Sequence, residues 1–175
     1  GMPIYTLTLE ERATCPRTCE QWRDCYGNNM HMARRHVAGL ALEGRLIDEV
    51  TDLEKKHPSG FVIRLHVLGD FYSAAYVDLW AMLLSEVSAL RIFGYTAHAM
   101  SSEIGSKILP LSFEYYDRCR IRFSGTDEDG LGALVIDREE DSNHVICPVQ
   151  TDATDCCGTC GLCWTMGNVV EFLRH

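Results

Sequence analysis

Eight of the nine cysteines in this chain fall into two groups, one near each end. The N-terminal group consists of Cys15, Cys19 and Cys25. The C-terminal group consists of Cys147, Cys156, Cys157, Cys160 and Cys163. Thiolates separated by two or three residues can converge on one metal ion or one iron–sulfur cluster. The types and spacing of these residues therefore predict a protein built around soft-metal chemistry.

The C-terminal group has the spacing of an iron–sulfur ligand set. Two-residue gaps separate Cys157, Cys160 and Cys163, and Cys147 can supply a fourth thiolate. This arrangement resembles the ligation of a 4Fe–4S cluster in ferredoxins. A zinc site that uses the same four thiolates is the alternative, because tetrahedral zinc accepts four cysteines. Cys156 could replace Cys157, since spacing does not distinguish adjacent cysteines.

The N-terminal group leaves one coordination position open. Three thiolates do not complete the coordination of a four-iron cluster or of a tetrahedral ion. An open position is typical of a catalytic site, where a substrate or cofactor supplies the last ligand. The alternative is a structural zinc site that His31, His36 or another cysteine completes.

Charged side chains alternate along two predicted strands. In the segment from residue 61 to 68, the two-residue period of a strand places Arg64 and His66 on one side. The segment from residue 118 to 124 carries on one side Arg118, Arg120, Arg122 and Ser124. Its other side carries Cys119, Ile121 and Phe123, which we expect in the core.

These charges matter because a strand in a parallel sheet is usually apolar on both faces. Charged residues on one face fit a barrel with a polar interior, where arginines would hold an anion such as a carboxylate or a phosphate. The alternative is that the strands lie at a sheet edge, or that the arginines pair with Asp70, Glu86 or Asp117.

Further polar residues follow the predicted strands directly. Asp70 comes after Gly69 at the end of one strand, and Thr96 and His98 come at the end of the next. Parallel sheets bind ligands at the carboxyl ends of their strands. The sequence therefore predicts ligand contacts from Asp70, Thr96 and His98.

A frame of alternating strands and helices must position these residues. Strands are predicted at residues 4–9, 61–68, 92–95, 118–124, 133–136 and 145–146. A helical pattern runs from Met30 to His57, and further helices begin at Ser73 and at Ser101 or Ser102. A capping box formed by Thr18 and Gln21 predicts a short helix that carries Trp22.

This alternation predicts an α/β fold, either a parallel sheet or a partial (β/α) barrel. We expect an α/β core over residues 2–146, which includes the N-terminal cysteine loop. A cysteine-rich, metal-binding tail over residues 147–175 is expected to pack on that core.

The charge and composition of the chain bear on two questions, whether it binds nucleic acid and where in the cell it lies. The chain has 16 Lys and Arg against 25 Asp and Glu, for a net charge of −9, whereas a nucleic-acid surface is basic. A nucleic-acid partner is therefore not expected. A signal peptide and an apolar run long enough to span a membrane are both lacking, which predicts a cytoplasmic location. Clustered cysteines in that reducing environment favour metal or redox chemistry over disulfides.

Three sequence stretches resemble a phage and prophage family known as the gene product 88 family. They are Cys-Pro…Cys…Cys-Tyr from Cys15, Arg-Leu-His-Val-Leu-Gly-Asp-Phe-Tyr-Ser from Arg64, and Cys-Pro-x-Gln…Cys-Gly-x-Cys-Gly-Leu-Cys-Trp from Cys147. The resemblance spans nearly the whole chain. It implies no established reaction, because the family is largely uncharacterised.

The order of elements also resembles the core of radical S-adenosylmethionine enzymes. In those enzymes a strand leads into a three-cysteine loop that holds a 4Fe–4S cluster, and the next strand ends in an acidic motif. The resemblance implies that Asp70 contacts the amine of S-adenosylmethionine and that an inward-facing arginine contacts its carboxylate. The cysteine gaps of three and five residues differ from the three and two usual there.

We therefore expect a protein that binds one or two iron–sulfur clusters, with redox or radical chemistry on an unknown small-molecule or macromolecular substrate. S-adenosylmethionine is the expected second cofactor. The alternative function is that of a zinc-binding structural or interaction protein without catalysis, in which the metal contributes folding energy.

Overall fold

The computed structural model describes residues 2–128, 130–165 and 167–174. Seven parallel strands form one sheet that curves into a half-barrel, in the order β1-β2-β3-β4-β5-β7-β6. The strands are β1 (Ile4–Thr6), β2 (Phe61–Leu65), β3 (Leu90–Thr96), β4 (Cys119–Ser124), β5 (Gly132–Ile136), β6 (Val145–Ile146) and β7 (Val170–Leu173). The predicted α/β fold with a parallel sheet or partial barrel is confirmed.

Three long helices connect the first four strands. The α-helices are α1 (Glu11–Thr14), α2 (Leu40–Lys56), α3 (Ala74–Glu86), α4 (Glu103–Glu114), α5 (Cys157–Cys160) and α6 (Leu162–Thr165). Short 3-10 helices occupy Tyr26–Asn29 and Glu139–Asp141. Because α2, α3 and α4 alternate with β1 to β4, the strands can all run parallel, and each helix returns the chain to the same end of the sheet.

The main core lies between the sheet and these three helices, on what we call the outer face. The predicted stripe of α2 is buried there at Leu42, Leu46 and Val50. It packs with the alternate residues of the strands and with Trp80 of α3, which is fully buried. Each large apolar side chain buried in this way contributes roughly 1.5–3 kcal/mol. Cys119 is part of this core, as predicted.

The inner face of the sheet is covered by the C-terminal segment. The ring of Trp164, in α6, lies 5.0 Å from that of Phe93, in β3. The ring of Phe172, in β7, lies 5.3 Å from that of Tyr95. Strand β7 also pairs with both β5 and β6, so the segment after residue 147 belongs to the same sheet as the rest of the chain.

Serine side chains begin two of the long helices as predicted. The Ser73 hydroxyl accepts a hydrogen bond from the Tyr76 amide at 3.1 Å. Ser102, rather than Ser101, accepts one from the Gly105 amide at 3.0 Å. Each cap satisfies an amide that the first helical turn leaves without a partner.

Two helix predictions differ from the structure. The helical pattern expected from Met30 to His57 forms a helix only from Leu40 to Lys56, and the segment around Trp22 forms turns instead of a helix. Arginine side chains stabilise these loops, because Arg12 donates to the Trp22 carbonyl and Arg35 donates to the carbonyls of Met30 and Ala33. No helix within the described ranges is long and apolar enough to cross a membrane.

Candidate functional site

The three N-terminal cysteines line one small cleft of about 20 Å³. Turns at Cys19 and Trp22 fold the loop back on itself, through amide-to-carbonyl hydrogen bonds of 3.0 Å to Pro16 and Cys19. The cleft is lined by Glu11, Arg12, Cys15, Cys19, Gln21, Trp22 and Cys25. Cys15, Cys19 and Cys25 therefore face the same cleft, and their role as metal ligands stays a prediction.

Burial favours the protonated thiols of Cys15 and Cys19, because it raises the pKa of both. Desolvation raises the pKa of Cys15 to about 12, and the charges of Asp70, Cys19 and Cys25 add to the effect. The pKa of Cys19 is raised for the same reason. A bound cation would reverse this balance, because it stabilises thiolates and displaces their protons.

A partly buried ion pair fixes the cysteine loop, and no sequence spacing indicated it. Arg35 donates from Nε to one carboxylate oxygen of Glu11 at 2.8 Å and from Nη2 to the other at 3.0 Å. Arg35 also donates to the carbonyl of Gly27 at 3.0 Å. This bidentate contact lowers the pKa of Glu11 and connects α1 to the chain that follows the cysteines.

The base of the loop sits against the turn that follows β2. The backbone amide of Asp70 donates to Thr14 Oγ1 at 3.1 Å. Gly69 adopts φ +87°, and a Cβ atom there would lie 2.6 Å from Leu9 Cβ and 2.7 Å from Thr14 Oγ1. Only glycine fits this contact, which brings the cysteines next to Asp70.

Asp70, Thr96 and His98 lie together at the carboxyl edge of the sheet. The Asp70 carboxylate accepts from the amides of Phe71 and Ala97, both at 2.7 Å. Burial raises the pKa of Asp70 to about 6, against the opposing effects of the Ala97 amide and of His98. The His98 amide donates to Thr96 Oγ1 at 3.1 Å, so the three side chains form one cluster beside the N-terminal cysteines.

The C-terminal group lies against the inner face of the sheet. Cys147 is buried, and Cys160 and Cys163 pack against it. The hydroxyl of Tyr95 donates to Cys163 Sγ at 2.9 Å. Burial raises the pKa of Cys163, and the neighbouring Cys147 and Cys157 raise it further.

Cys156 differs from the other cysteines of this group. It is exposed, and its Sγ lies 3.7 Å from the Thr159 hydroxyl at the start of α5. Hydrogen bonds from Thr159 and Gly158 lower the pKa of Cys156, whereas burial raises that of Cys157. Cys157 interacts with Cys147 and Cys160, which favours Cys157 over Cys156 as a ligand.

Two arginines of the inner face act on these thiols. The charge of Arg122, which is fully buried, lowers the pKa of Cys163. Burial raises the pKa of Cys157 and that of Tyr26, next to the N-terminal group, and the charge of Arg64 opposes both shifts. Arg64 therefore acts electrostatically on residues of both cysteine regions.

The structure separates the other charged residues of the two strands from this site. His66 adopts φ +55°, which turns its ring away from Arg64 and towards α3, where it lies 3.3 Å from the Tyr76 hydroxyl. Burial lowers the pKa of His66 to about 3. Arg120 donates to the Tyr116 carbonyl at 3.1 Å, and Arg118 donates to the last carbonyls of α3. The expected shared face of Arg64 and His66 is therefore not observed.

The two histidines considered as a fourth N-terminal ligand lie elsewhere. His31 is exposed, and His36 pairs with Leu9 and lines a separate groove beside Arg34. Within the part of the chain that the structure describes, no set of three or more His, Cys, Asp or Glu side chains is arranged to hold a metal ion.

The donor chemistry of both groups nevertheless fits a soft metal. Each group offers half-buried or buried thiols that share their surroundings, and none of the nine cysteines forms a disulfide. Cationic side chains stand beside the C-terminal thiols, and polar side chains stand beside the N-terminal ones. Cationic neighbours favour the thiolates of the C-terminal group, whereas the acidic neighbours of Cys15 disfavour its thiolate, so the N-terminal thiols would depend on the charge of the metal itself to ionise.

Comparison with known proteins places the chain in one family. No curated protein and no solved structure matches it. The family model described as Gene product 88 matches residues 2–166, which include both cysteine groups and the Gly69–Asp70 turn. The chain therefore belongs to the Gene product 88 family.

Proposed function

We propose that this chain is an iron–sulfur protein with a redox function and an open coordination position at its N-terminal cluster. One observation carries the proposal: Cys15, Cys19 and Cys25 line a single cleft beside Asp70, at the carboxyl edge of a parallel half-barrel. That edge is where parallel α/β folds bind their ligands. Three thiolates and a polar edge together favour a cluster that reacts with a bound ligand.

In this proposal Cys15, Cys19 and Cys25 would hold the N-terminal cluster, and S-adenosylmethionine would occupy its open position. When bound and reduced by an external electron donor, the cluster would supply electron transfer to that ligand. Asp70 would accept a hydrogen bond from the ligand's amine. Its carboxylate is fixed by two backbone amides and still has free lone pairs. Arg64 would hold the ligand's carboxylate from the inner face, and Thr96 and His98 would line the same edge.

The C-terminal cluster has a supporting role in this proposal. Cys147, Cys157, Cys160 and Cys163 would hold it with four thiolates, which leaves no open position. Its ligands lie on the segment that covers the inner face and supplies β7. It would therefore carry electrons and stabilise the fold at the same time.

A zinc-binding structural protein is the second candidate, and one observation favours it. The C-terminal cysteines pack between the α5–α6 segment and β7, which pairs with the edge strand β6. A tetrahedral zinc ion on four thiolates would stabilise such a junction without any catalysis.

Metal analysis of protein purified without oxygen distinguishes the two functions. Two clusters predict brown protein with about eight irons and matching sulfide per chain, and one cluster predicts about four. Cleavage of S-adenosylmethionine by the reduced protein is then the next assay. Colourless protein with stoichiometric zinc would overturn the iron–sulfur proposal.

Single cysteine variants assign the sites. Cys160→Ala and Cys19→Ala are each expected to remove the iron and the visible absorbance of one cluster, because each removes a thiolate ligand. Cys156→Ala and Cys119→Ala are the controls, since Cys156 is exposed and Cys119 lies in the outer core. Full iron in the Cys160→Ala variant would exclude the C-terminal assignment.

A further inference from the structure

The inner face presents a hydroxyl and two guanidinium groups to the C-terminal cysteines. In the sheet register, Arg64 of β2 stands beside Phe93 of β3, and Tyr95 of β3 stands beside Arg122 of β4. Alternate residues of a strand share a face, so these side chains lie side by side under the C-terminal segment. The sequence-based hypothesis assigned such arginines to an external anion.

Tyr95 makes the most direct contact with the cysteine group. Its hydroxyl donates to Cys163 Sγ at 2.9 Å, a short distance for a bond to sulfur. The ring is held edge-on against Phe172, with centroids 5.3 Å apart. Strands β3 and β7 therefore fix the hydroxyl in a position from which it can reach Cys163.

The two arginines add positive charge at the same place. Arg122 is fully buried, and it donates to the carbonyls of Asn168 at 2.5 Å and Gly132 at 3.4 Å, which hold its guanidinium under the segment. The Nε of Arg64 is buried and has no hydrogen-bond partner among the residues described. Four thiolates around zinc or around an iron–sulfur core carry net negative charge, which these cations offset.

We propose that Tyr95 is a positioning residue of the C-terminal metal centre, which acts with Arg122 by stabilising the ligated thiolate of Cys163, while Arg64 acts in the same way on Cys157. This inference rests on the proposed function, since it requires a metal at the C-terminal cysteines. It holds for an iron–sulfur cluster and for zinc alike. A hydrogen bond to a ligated sulfur withdraws negative charge from it, so the centre binds metal more tightly and is reduced more easily.

Tyr95→Phe tests the inference, because it keeps the ring against Phe172 and removes only the hydroxyl. The protein is purified without oxygen in a Cys19→Ala background, so that the C-terminal centre is the one measured. Transfer of its metal to a competing chelator is expected at roughly tenfold lower chelator concentration than for the parent chain. If the metal is iron, the reduction potential is also expected to become more negative.

Tyr72→Phe is the matched control. Its hydroxyl donates to Glu43 at 2.7 Å, so the variant loses a comparable hydrogen bond that does not involve cysteine. Thermal melting of both metal-free variants separates metal affinity from fold stability. Arg64→Met, which removes a charge near Cys157, is expected to weaken metal binding in the same direction as Tyr95→Phe.

The outcomes separate this inference from the proposed function. Weaker metal binding in Tyr95→Phe with an unchanged Tyr72→Phe control supports it. Equal chelator competition and equal potential in Tyr95→Phe and its parent would overturn it, while the metal site itself would stand. A chain with all its cysteines intact that holds metal at neither cysteine group would overturn the proposed function, and this inference with it.

Discussion

Burial determines the direction of the pKa shift for three side chains, of which Cys15 and Asp70 belong to the N-terminal site and His66 lies against α3. It raises the pKa of Cys15 to about 12 and that of Asp70 to about 6, and it lowers that of His66 to about 3. All three shifts favour the neutral form of the side chain. A metal ion that binds these cysteines would therefore displace protons, so the apparent metal affinity is expected to fall as the pH is lowered.

The buried His66 predicts how stability depends on pH. Its pKa falls from 6.5 in the unfolded chain to about 3 in the fold, so the unfolded state binds more protons between these values. Its contribution to stability is fully present above pH 6.5 and is lost as the pH falls towards 3, by on the order of 4 kcal/mol. Urea unfolding of the parent chain and of His66→Gln across this range measures the effect.

In that experiment His66→Gln should show a flatter dependence of unfolding free energy on pH. Equal slopes in the two proteins between pH 4 and pH 6.5 would contradict the prediction. Asp70 acts in the opposite direction, because its raised pKa makes the unfolded state bind fewer protons than the fold between about 4 and 6. The comparison of the two chains cancels this contribution.

The ion pair between Glu11 and Arg35 predicts a specific loss at the N-terminal site. Arg35→Met removes the bidentate contact and three donors to loop carbonyls, so the cysteine loop should lose its fixed shape. We expect metal affinity at the N-terminal group to fall about tenfold or more, with the C-terminal group unaffected. Arg138→Met is the control, since its ion pairs with Glu140 and Asp141 are exposed. Equal metal content in both variants would contradict the prediction.

At the scale of elements, local signals account for the regular part of the fold. The spacing of Leu42, Leu46 and Val50 and the serine caps at Ser73 and Ser102 act within one or two helical turns, so they can be read from the sequence. The segment from residue 15 to 39 has no such signal. Its shape depends on donors from Arg12 and Arg35, which reach carbonyls and a carboxylate distant in sequence.

Strand β7 was not predicted from the sequence, because it too depends on contacts with residues distant in the chain. It has four residues, Val170 to Leu173, and it exists through pairing with β5 and β6 instead of through a pattern of its own. The cysteine spacing, in contrast, indicated both groups, because ligand spacing acts over a few residues. The contact between Tyr95 and Cys163 joins residues 68 apart, which spacing alone cannot indicate.

Two glycines give a matched test of how the loop packs on the sheet. Gly69→Ala would place a Cβ at φ +87° and within 2.7 Å of both Leu9 and Thr14, so we expect destabilisation of about 2–4 kcal/mol. Gly44→Ala has nothing within 4 Å in α2 and should stabilise by about 0.5–1 kcal/mol. Chemical denaturation of both variants measures the difference, and similar midpoints would contradict it.

At the scale of the whole molecule, the C-terminal segment is part of the sheet. A chain that ends at residue 146 would lose β7, leave β5 and β6 without their shared neighbour, and uncover Tyr95 and Phe93. We expect this truncation to lack a cooperative unfolding transition, which circular dichroism on heating would reveal. A chain that ends at Leu173 is the control, because β7 is complete there. A cooperative transition in the shorter chain would show that residues 2–146 fold alone.

The position of β7 also fixes an order of events during synthesis. β6 precedes β7 in the chain, yet it reaches the sheet only through β7, since the strand order is β5-β7-β6. While residues 170–173 are still within the ribosome, β5 has a bare edge and Val145–Ile146 has no strand beside it. The sheet is therefore completed late, and Cys147, which follows β6 directly, reaches its native position only after β7 has paired. A nascent chain that has exposed only residues 2–146 would therefore still lack the cooperative fold of the complete sheet.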